Sequence, residues 1–83
     1  MFEWDEAKSR KLQAERGASF EDLVEAIAAG HTLVEIAHPS QIGQTLLIVR
    51  RKETVWVVIT ERRAQRIRLV TAYPSRKWKK KYG

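Results

Sequence analysis

The clearest pattern in the chain is an apolar stripe at helical spacing between residues 19 and 29. Its members follow the i, i+3, i+4, i+7, i+8 rule of a single helix face: Phe20, Leu23, Val24, Ile27 and Ala28. Ser19 and Asp22 have the spacing of a capping box, and Gly30 is placed to end the helix. We expect this helix to form the main wall of the core.

A second, weaker helix is predicted over residues 6–16, where most residues favour helix but apolar positions are few. Asp5 is suited to cap this helix at its start, and Gly17 is suited to end it. Residues 2–4, ahead of it, alternate in polarity and are typical of a short edge strand.

The second part of the chain is rich in β-branched residues, which predicts strands over residues 32–37, 45–51, 54–60 and 66–73. A tight hairpin is expected at residues 52–53, and a second turn over residues 61–65. Because these connections are short, the strands that they join must be antiparallel. The last segment is suited to a short basic helix with Ser75 as its cap.

This order predicts a single α+β domain over residues 1–83, with two N-terminal helices packed on a small antiparallel sheet of three to four strands. We expect the apolar stripe to pack against strand residues on one face of the sheet: Leu47, Val49, Val55 and Val57. Only the short C-terminal helix remains to cover the opposite face. We therefore expect a partly exposed face there, with a basic groove.

Length and composition exclude several classes of protein. A chain of 83 residues is too short for a dinucleotide-binding domain or an enzyme barrel. The absence of cysteine excludes disulfides, thiolate zinc sites and thiol catalysis, and no cluster of other ligands predicts a metal or cofactor. No apolar run reaches the ~18 residues of a membrane span, and no signal peptide begins the chain. We therefore expect a cytosolic protein.

The charges of the chain are segregated. The first 44 residues carry eight acids and four bases, whereas residues 45–83 carry twelve bases and two acids. This segregation favours a positive surface with a polyanionic target, although a solvated basic tail would give the same composition. The basic half holds no pair of carboxylates for two-metal phosphodiester chemistry. RNA offers a metal-free route, in which its 2′-hydroxyl attacks the adjacent phosphate with help from an acid, a base and cations.

Residues 73–82 combine five bases and three aromatic residues with no acid. Arg76 is suited to hold a phosphate through two hydrogen bonds, and exposed aromatic rings can stack on unpaired bases. The RNA-binding residues predicted in this segment are Tyr73, Trp78, Lys79, Lys80 and Lys81. In the alternative interpretation, Trp78 belongs to the core and the lysines only aid solubility.

Two further features outside this segment are candidates. His38 lies on a loop that we expect to be exposed, where it is either a general acid or base or an ordinary surface residue. Four arginines surround the second predicted turn and are suited to follow phosphates or to pair with an acidic protein: Arg62, Arg63, Arg66 and Arg68.

Three segments, in order along nearly the whole chain, resemble BrnT-like toxins of bacterial type II toxin–antitoxin systems: FEWDEAK (2–8), GASFED (17–22) and TAYPSRK (71–77). The resemblance implies a RelE-like α+β fold, metal-independent ribonuclease activity and neutralisation by a cognate antitoxin. By position, the C-terminal Ser-Arg pair of the family falls on Ser75 and Arg76. The resemblance then implies that Arg76 contacts the scissile phosphate and that Lys77 and Tyr82 assist.

Three hypotheses follow for function. The first is a ribonuclease toxin that acts on RNA, with mRNA the expected substrate, either free or on the ribosome, and with an antitoxin as protein partner. The second is a non-catalytic basic module that binds an acidic protein or nucleic acid. The third, a helix-turn-helix DNA-binding protein that uses residues 6–29, is disfavoured because that segment is acidic.

Overall fold

The computed structural model describes residues 1–82, which form an α+β fold of three helices and one five-stranded mixed sheet. The elements in chain order are β1 (Phe2–Glu3), α1 (Glu6–Arg16), α2 (Phe20–Ala28), β2 (Thr32–Ala37), β3 (Gln44–Arg51), β4 (Thr54–Arg63), β5 (Arg66–Pro74) and α3 (Arg76–Tyr82). Gly83, the last residue of the predicted domain, lies outside the described residues. No helix within residues 1–82 has the length and apolar character needed to cross a membrane.

The sheet has the strand order β1-β5-β4-β3-β2. The strands β2 to β5 form the predicted antiparallel series, but β1 adds a fifth strand, parallel to β5, with Phe2 opposite Ile67. The edge strand predicted over residues 2–4 is therefore present, but the expected three to four strands are one too few, and the sheet is mixed rather than antiparallel throughout. Short connections enforce antiparallel pairing only between successive strands. Most of the chain separates β1 from β5, so the long crossover that parallel pairing needs is available.

Both N-terminal helices begin at the predicted caps. The Asp5 carboxylate accepts hydrogen bonds from the first backbone N–H groups of α1. Ser19 and Asp22 form the predicted capping box of α2, since each side chain accepts from the backbone N–H of the other at 3.1 and 3.0 Å. Gly17 ends α1 with a φ of 84°, a left-handed conformation that glycine adopts without strain.

The two N-terminal helices, α1 and α2, cover one face of the sheet, as expected. From α2, Phe20, Leu23 and Ala26 are buried there, whereas Ala28, which we expected in the apolar stripe, is exposed. Their strand neighbours in this core are Leu47, Val49, Trp56 and Val58. The expected contacts of the stripe with Val55 and Val57 are wrong. The register pairs Val49 with Trp56, so the alternation of β4 directs both valines to the opposite face.

The C-terminal helix α3 covers part of that opposite face. Its Trp78 and Tyr82 side chains are half-buried against a second apolar cluster formed by Ile48, Val55 and Val57. The Ser75 hydroxyl caps the helix, as predicted, by accepting a hydrogen bond from the Trp78 N–H at 3.3 Å. The sheet thus has an apolar core on each face, and the second core depends on α3.

The hairpin between β4 and β5 is tighter than predicted. The turn consists of Ala64 and Gln65, with Ala64 at a φ of 52°, and β4 continues through Arg63. The prediction of a turn over residues 61–65 is therefore wrong. Strand β4 can continue through these charged residues because the half-buried Glu61 and the exposed Arg63 share one face and form an ion pair at 3.0 Å. The predicted hairpin at residues 52–53 is confirmed.

Candidate functional site

A shallow depression of about 500 Å³ lies where β5 ends and α3 begins. Elements that are distant in sequence meet there: the end of α1, the turn between β3 and β4, and the first turn of α3. The polar residues that line the depression are Arg16, Glu53, Thr54, Ser75, Arg76 and Lys79. Three cations and one carboxylate therefore surround a single concave surface.

Two hydrogen bonds to backbone carbonyls fix the start of α3 next to the β3–β4 turn. The Ser75 N–H donates to the Val55 carbonyl at 2.9 Å, and the Lys79 ammonium donates to the Glu53 carbonyl. Arg76 and Lys79 are three residues apart on α3, so their side chains lie on one face of the helix. Arg76 is exposed, and within residues 1–82 its guanidinium forms no ion pair. The guanidinium is therefore available to a phosphate.

Arg16 is a site residue that the sequence reasoning missed. It is the last residue of α1, is exposed, and also forms no ion pair within residues 1–82. The sequence did not suggest Arg16 as an anion-binding residue, because acids outnumber bases in the first 44 residues. The spacing gave no clear signal either: Lys8 and Lys11 are three residues apart and share a face of α1, but Arg16 follows Lys11 by five residues, about 140° around the helix.

Glu53 is the second residue that the sequence reasoning missed. The two-residue turn between β3 and β4 brings this exposed side chain to the rim of the depression. Of the described residues that line the depression, Glu53 alone is acidic. A carboxylate next to a bound phosphate can accept a proton from a neighbouring hydroxyl. The sequence did not indicate a role for Glu53, because the cations that it approaches on α3 lie more than twenty residues further along the chain.

Lys77 and Tyr82, the residues predicted to assist Arg76, do not line the depression. The Tyr82 ring stacks on the Trp78 ring with 5.8 Å between the centroids, and both rings are half-buried against the sheet. The ammonium groups of Lys77 and Lys81 lie 5.6 and 5.3 Å from the Trp78 ring centroid. Trp78 is therefore a packing residue, which agrees with the core interpretation.

His38 lies at the other end of the sheet. It follows β2 next to the start of β3, whereas the depression lies beyond the end of β3, and eight strand residues span about 25 Å. The His38 Nδ1 atom accepts hydrogen bonds from the N–H groups of Ser40 and Gln41, each at 3.1 Å. The half-buried ring thus stabilises its own loop, and the structure does not bring it to Arg76.

The four arginines near the β4–β5 turn also lie far from Arg76, about 20–30 Å along β4 and β5. Arg66 and Arg68 donate to the two carboxylate oxygens of Glu3 at 3.2 and 3.4 Å, and these contacts lower the pKa of Glu3. Arg63 pairs with Glu61, while Arg62 lies on the helix-covered face of the sheet. Three of these four arginines are therefore paired with carboxylates of the chain, Glu3 and Glu61, which together balance two of the four charges.

Of the remaining predicted RNA-binding residues, Lys79 lies in the depression, Tyr73 is exposed on β5, and Lys80 is exposed on α3. No protein-family model matches the chain, and no curated protein matches it with significance. The depression has the groups that bind an anion and move a proton: two guanidiniums, an ammonium and a carboxylate.

Proposed function

We propose that the protein is a metal-independent ribonuclease toxin of a toxin–antitoxin pair, with a RelE-like fold, and that it cleaves RNA in the depression at the start of α3. The convergence of Arg16, Arg76, Lys79 and Glu53 carries this proposal. The resemblance of three sequence segments to BrnT-like toxins supports it, since Ser75 and Arg76 fall in the last of them. An antitoxin that neutralises such an enzyme would block this depression or hold α3.

In the proposed reaction, the guanidiniums of Arg76 and Arg16 hold the scissile phosphate and stabilise the negative charge that develops on its oxygens. The Glu53 carboxylate accepts the proton of the 2′-hydroxyl as the O2′–P bond forms. The P–O5′ bond breaks, and the leaving 5′-oxygen takes a proton from Lys79. The products are a 2′,3′-cyclic phosphate and a free 5′-hydroxyl.

Cleavage of a labelled single-stranded RNA by the purified chain in EDTA tests the proposal. We expect products with 2′,3′-cyclic phosphate ends and no cleavage of a matching 2′-deoxy oligonucleotide. Arg76→Ala should slow the reaction about 10²-fold or more, because one donor aimed at developing charge is worth ~3 kcal/mol. Glu53→Gln should slow it by a similar factor, since the amide cannot accept the proton.

Arg10→Ala is the matched control, because it removes one positive charge from an exposed position that does not line the depression. Its cleavage rate should stay within about twofold of the parent rate, since only distant charge changes. If the parent protein, purified free of any antitoxin, leaves RNA uncut both alone and with ribosomes, the enzyme proposal is wrong. The basic surface would then belong to a non-catalytic binding module.

A further inference from the structure

A groove of about 440 Å³ runs between α1 and the outer edge of β5. Residues 70–73 form its strand side, and the helix side includes Lys8, Lys11, Leu12, Glu15 and Arg16. Arg16 lines both this groove and the depression at α3. The two concave surfaces therefore meet at a single guanidinium.

The helix side of the groove is predominantly cationic. Lys8, Lys11 and Arg16 are exposed, and none of them forms an ion pair within residues 1–82, while Glu15 is the acid among the described lining residues. With a helical rise of 1.5 Å per residue, Lys8 and Arg16 stand about 12 Å apart along the axis. The cations thus form a row that leads to the depression rather than a single cluster.

The strand side of the groove is an open sheet edge. β1 pairs with β5 only at Ile67 and Arg68, so residues 70–73 have no strand on their outer side within residues 1–82. Such an edge presents backbone N–H groups that can donate to an anion. Ala72 is buried beneath the helices, so by alternation the Tyr73 ring, which is 41% exposed, stands on the other side of this edge.

We propose that this groove binds single-stranded RNA and leads its backbone to Arg76. The proposal rests on the proposed function, because a cleaved strand must extend beyond the scissile phosphate. Phosphates match the row of cations and the edge N–H groups, and the Tyr73 ring offers a stacking surface to a base at the edge. Stacking requires an unpaired base, which selects a single strand over a duplex. An acidic peptide would match the charges but would not use the ring for stacking.

The test measures binding apart from cleavage. The probe is a fluorescein-labelled single-stranded RNA 12-mer with 2′-O-methyl riboses, which cannot react through the 2′-hydroxyl, and the readout is fluorescence anisotropy as a function of salt. Lys11→Ala and Arg16→Ala should each weaken binding severalfold and make the salt slope shallower by about 0.7, the value for one lost phosphate contact. Tyr73→Ala should weaken binding at least about fivefold without changing the salt slope.

Arg10→Ala again serves as the control, because it removes the same charge from the same helix outside the groove. Its affinity should stay within about twofold of the parent, and a duplex of the same sequence should bind more weakly and be insensitive to Tyr73→Ala. If Lys11→Ala and Arg16→Ala bind the RNA 12-mer as tightly as Arg10→Ala does, the groove proposal is wrong. If an acidic decapeptide depends on Lys11 and Arg16 and the RNA does not, the groove is a protein-binding site and the proposal is overturned.

The two proposals can fail separately. If groove variants bind RNA normally while Arg76→Ala abolishes cleavage, the groove proposal fails and the ribonuclease proposal stands. If the groove variants lose RNA binding but the parent protein cuts no RNA, the groove proposal stands and the enzyme proposal fails.

Discussion

At the scale of single residues, Ser9 makes a contact that joins α1 to α2. It is 4% exposed, and its hydroxyl accepts a hydrogen bond at 2.9 Å from the backbone N–H of Phe20. This N–H belongs to the first residue of α2, where an amide has no partner within its own helix. The hydroxyl therefore satisfies a buried donor and fixes the angle at which the chain enters α2.

Replacing Ser9 by Ala should lower the free energy of unfolding by about 1–3 kcal/mol, because the Phe20 N–H stays buried without an acceptor. Urea denaturation followed by circular dichroism measures the change. Gln13→Ala, at an exposed position of the same helix, is the control and should change stability by less than about 0.5 kcal/mol. Equal effects of both substitutions would mean that the hydroxyl does not support the fold.

Asp22 gives the fold a dependence on pH. The Ser19 backbone N–H, the Ser19 hydroxyl and the nearby Arg51 guanidinium hold the pKa of Asp22 below its ordinary value of 3.8, although partial burial opposes them. A lowered folded-state pKa means that the carboxylate stabilises the fold above pH 3.8. This contribution is lost as the pH falls through the lower value of the folded state.

Asp22→Asn should therefore destabilise the protein by about 1 kcal/mol at pH 7, the usual scale of a helix cap. The difference from the parent should shrink as the pH falls below 3.8, because protons bind first to the Asp22 carboxylate of the unfolded parent and then to that of the folded parent. Thermal melts across this range measure both proteins. A difference that stays constant with pH would show that the charge of Asp22 does not matter.

These residues also show what a sequence can predict. The capping box of Ser19 and Asp22 was predictable because both partners lie within one helical turn. The role of Ser9 was not, since its partner is eleven residues away on a separate helix. A polar residue within a predicted helix carries no local sign that a second helix will bury it.

At the scale of elements, α3 differs from the other helices of the described residues in that none of its residues is fully buried. Trp78 and Tyr82 hold it against the sheet, aided by the Arg50 guanidinium, which donates to the Tyr82 carbonyl. This helix also carries Arg76, so its docking decides whether the depression keeps its shape.

Trp78→Ala should lower the free energy of unfolding by about 1–3 kcal/mol, less than the 3–5 kcal/mol of a fully buried ring because Trp78 is half-buried. Hydrogen exchange should also become faster at the amides of α3 than at those of β3 and β4. Lys80→Ala, which leaves the sheet-facing side intact, should alter neither measurement. Uniform acceleration throughout the chain would show that α3 does not open as a separate unit.

The elements reveal a further limit of sequence reasoning. Residues 55–59 of β4 are all apolar, since both faces of this strand are covered. Such a run has no alternation, so nothing in it indicated that Trp56 faces α2 whereas Val57 faces α3. Stretches with one clear apolar stripe, such as α2, were predictable in type and largely in orientation.

At the scale of the whole molecule, the segregation of charge in the sequence does not survive folding as a division between two halves. Glu3, near the start of the chain, pairs with Arg66 and Arg68 on the neighbouring strand, whereas Arg16 of α1 joins Arg76 of α3. Arg76, which the sequence singled out, lines the depression. The convergence of Arg16 and Glu53 with it could not be predicted, because it depends on how α1 and the β3–β4 turn meet α3.

The parallel pairing of β1 with β5 also imposes an order in time. Glu3 meets Arg68 across a separation of 65 residues, so this edge of the sheet closes a loop that contains most of the chain. Closing so long a loop carries a large entropic cost, and contacts of this kind form slowly. The hairpins of β2 to β5 can assemble earlier from local contacts. A nascent chain thus passes through a period in which the central sheet exists while its edge at β5 is still open.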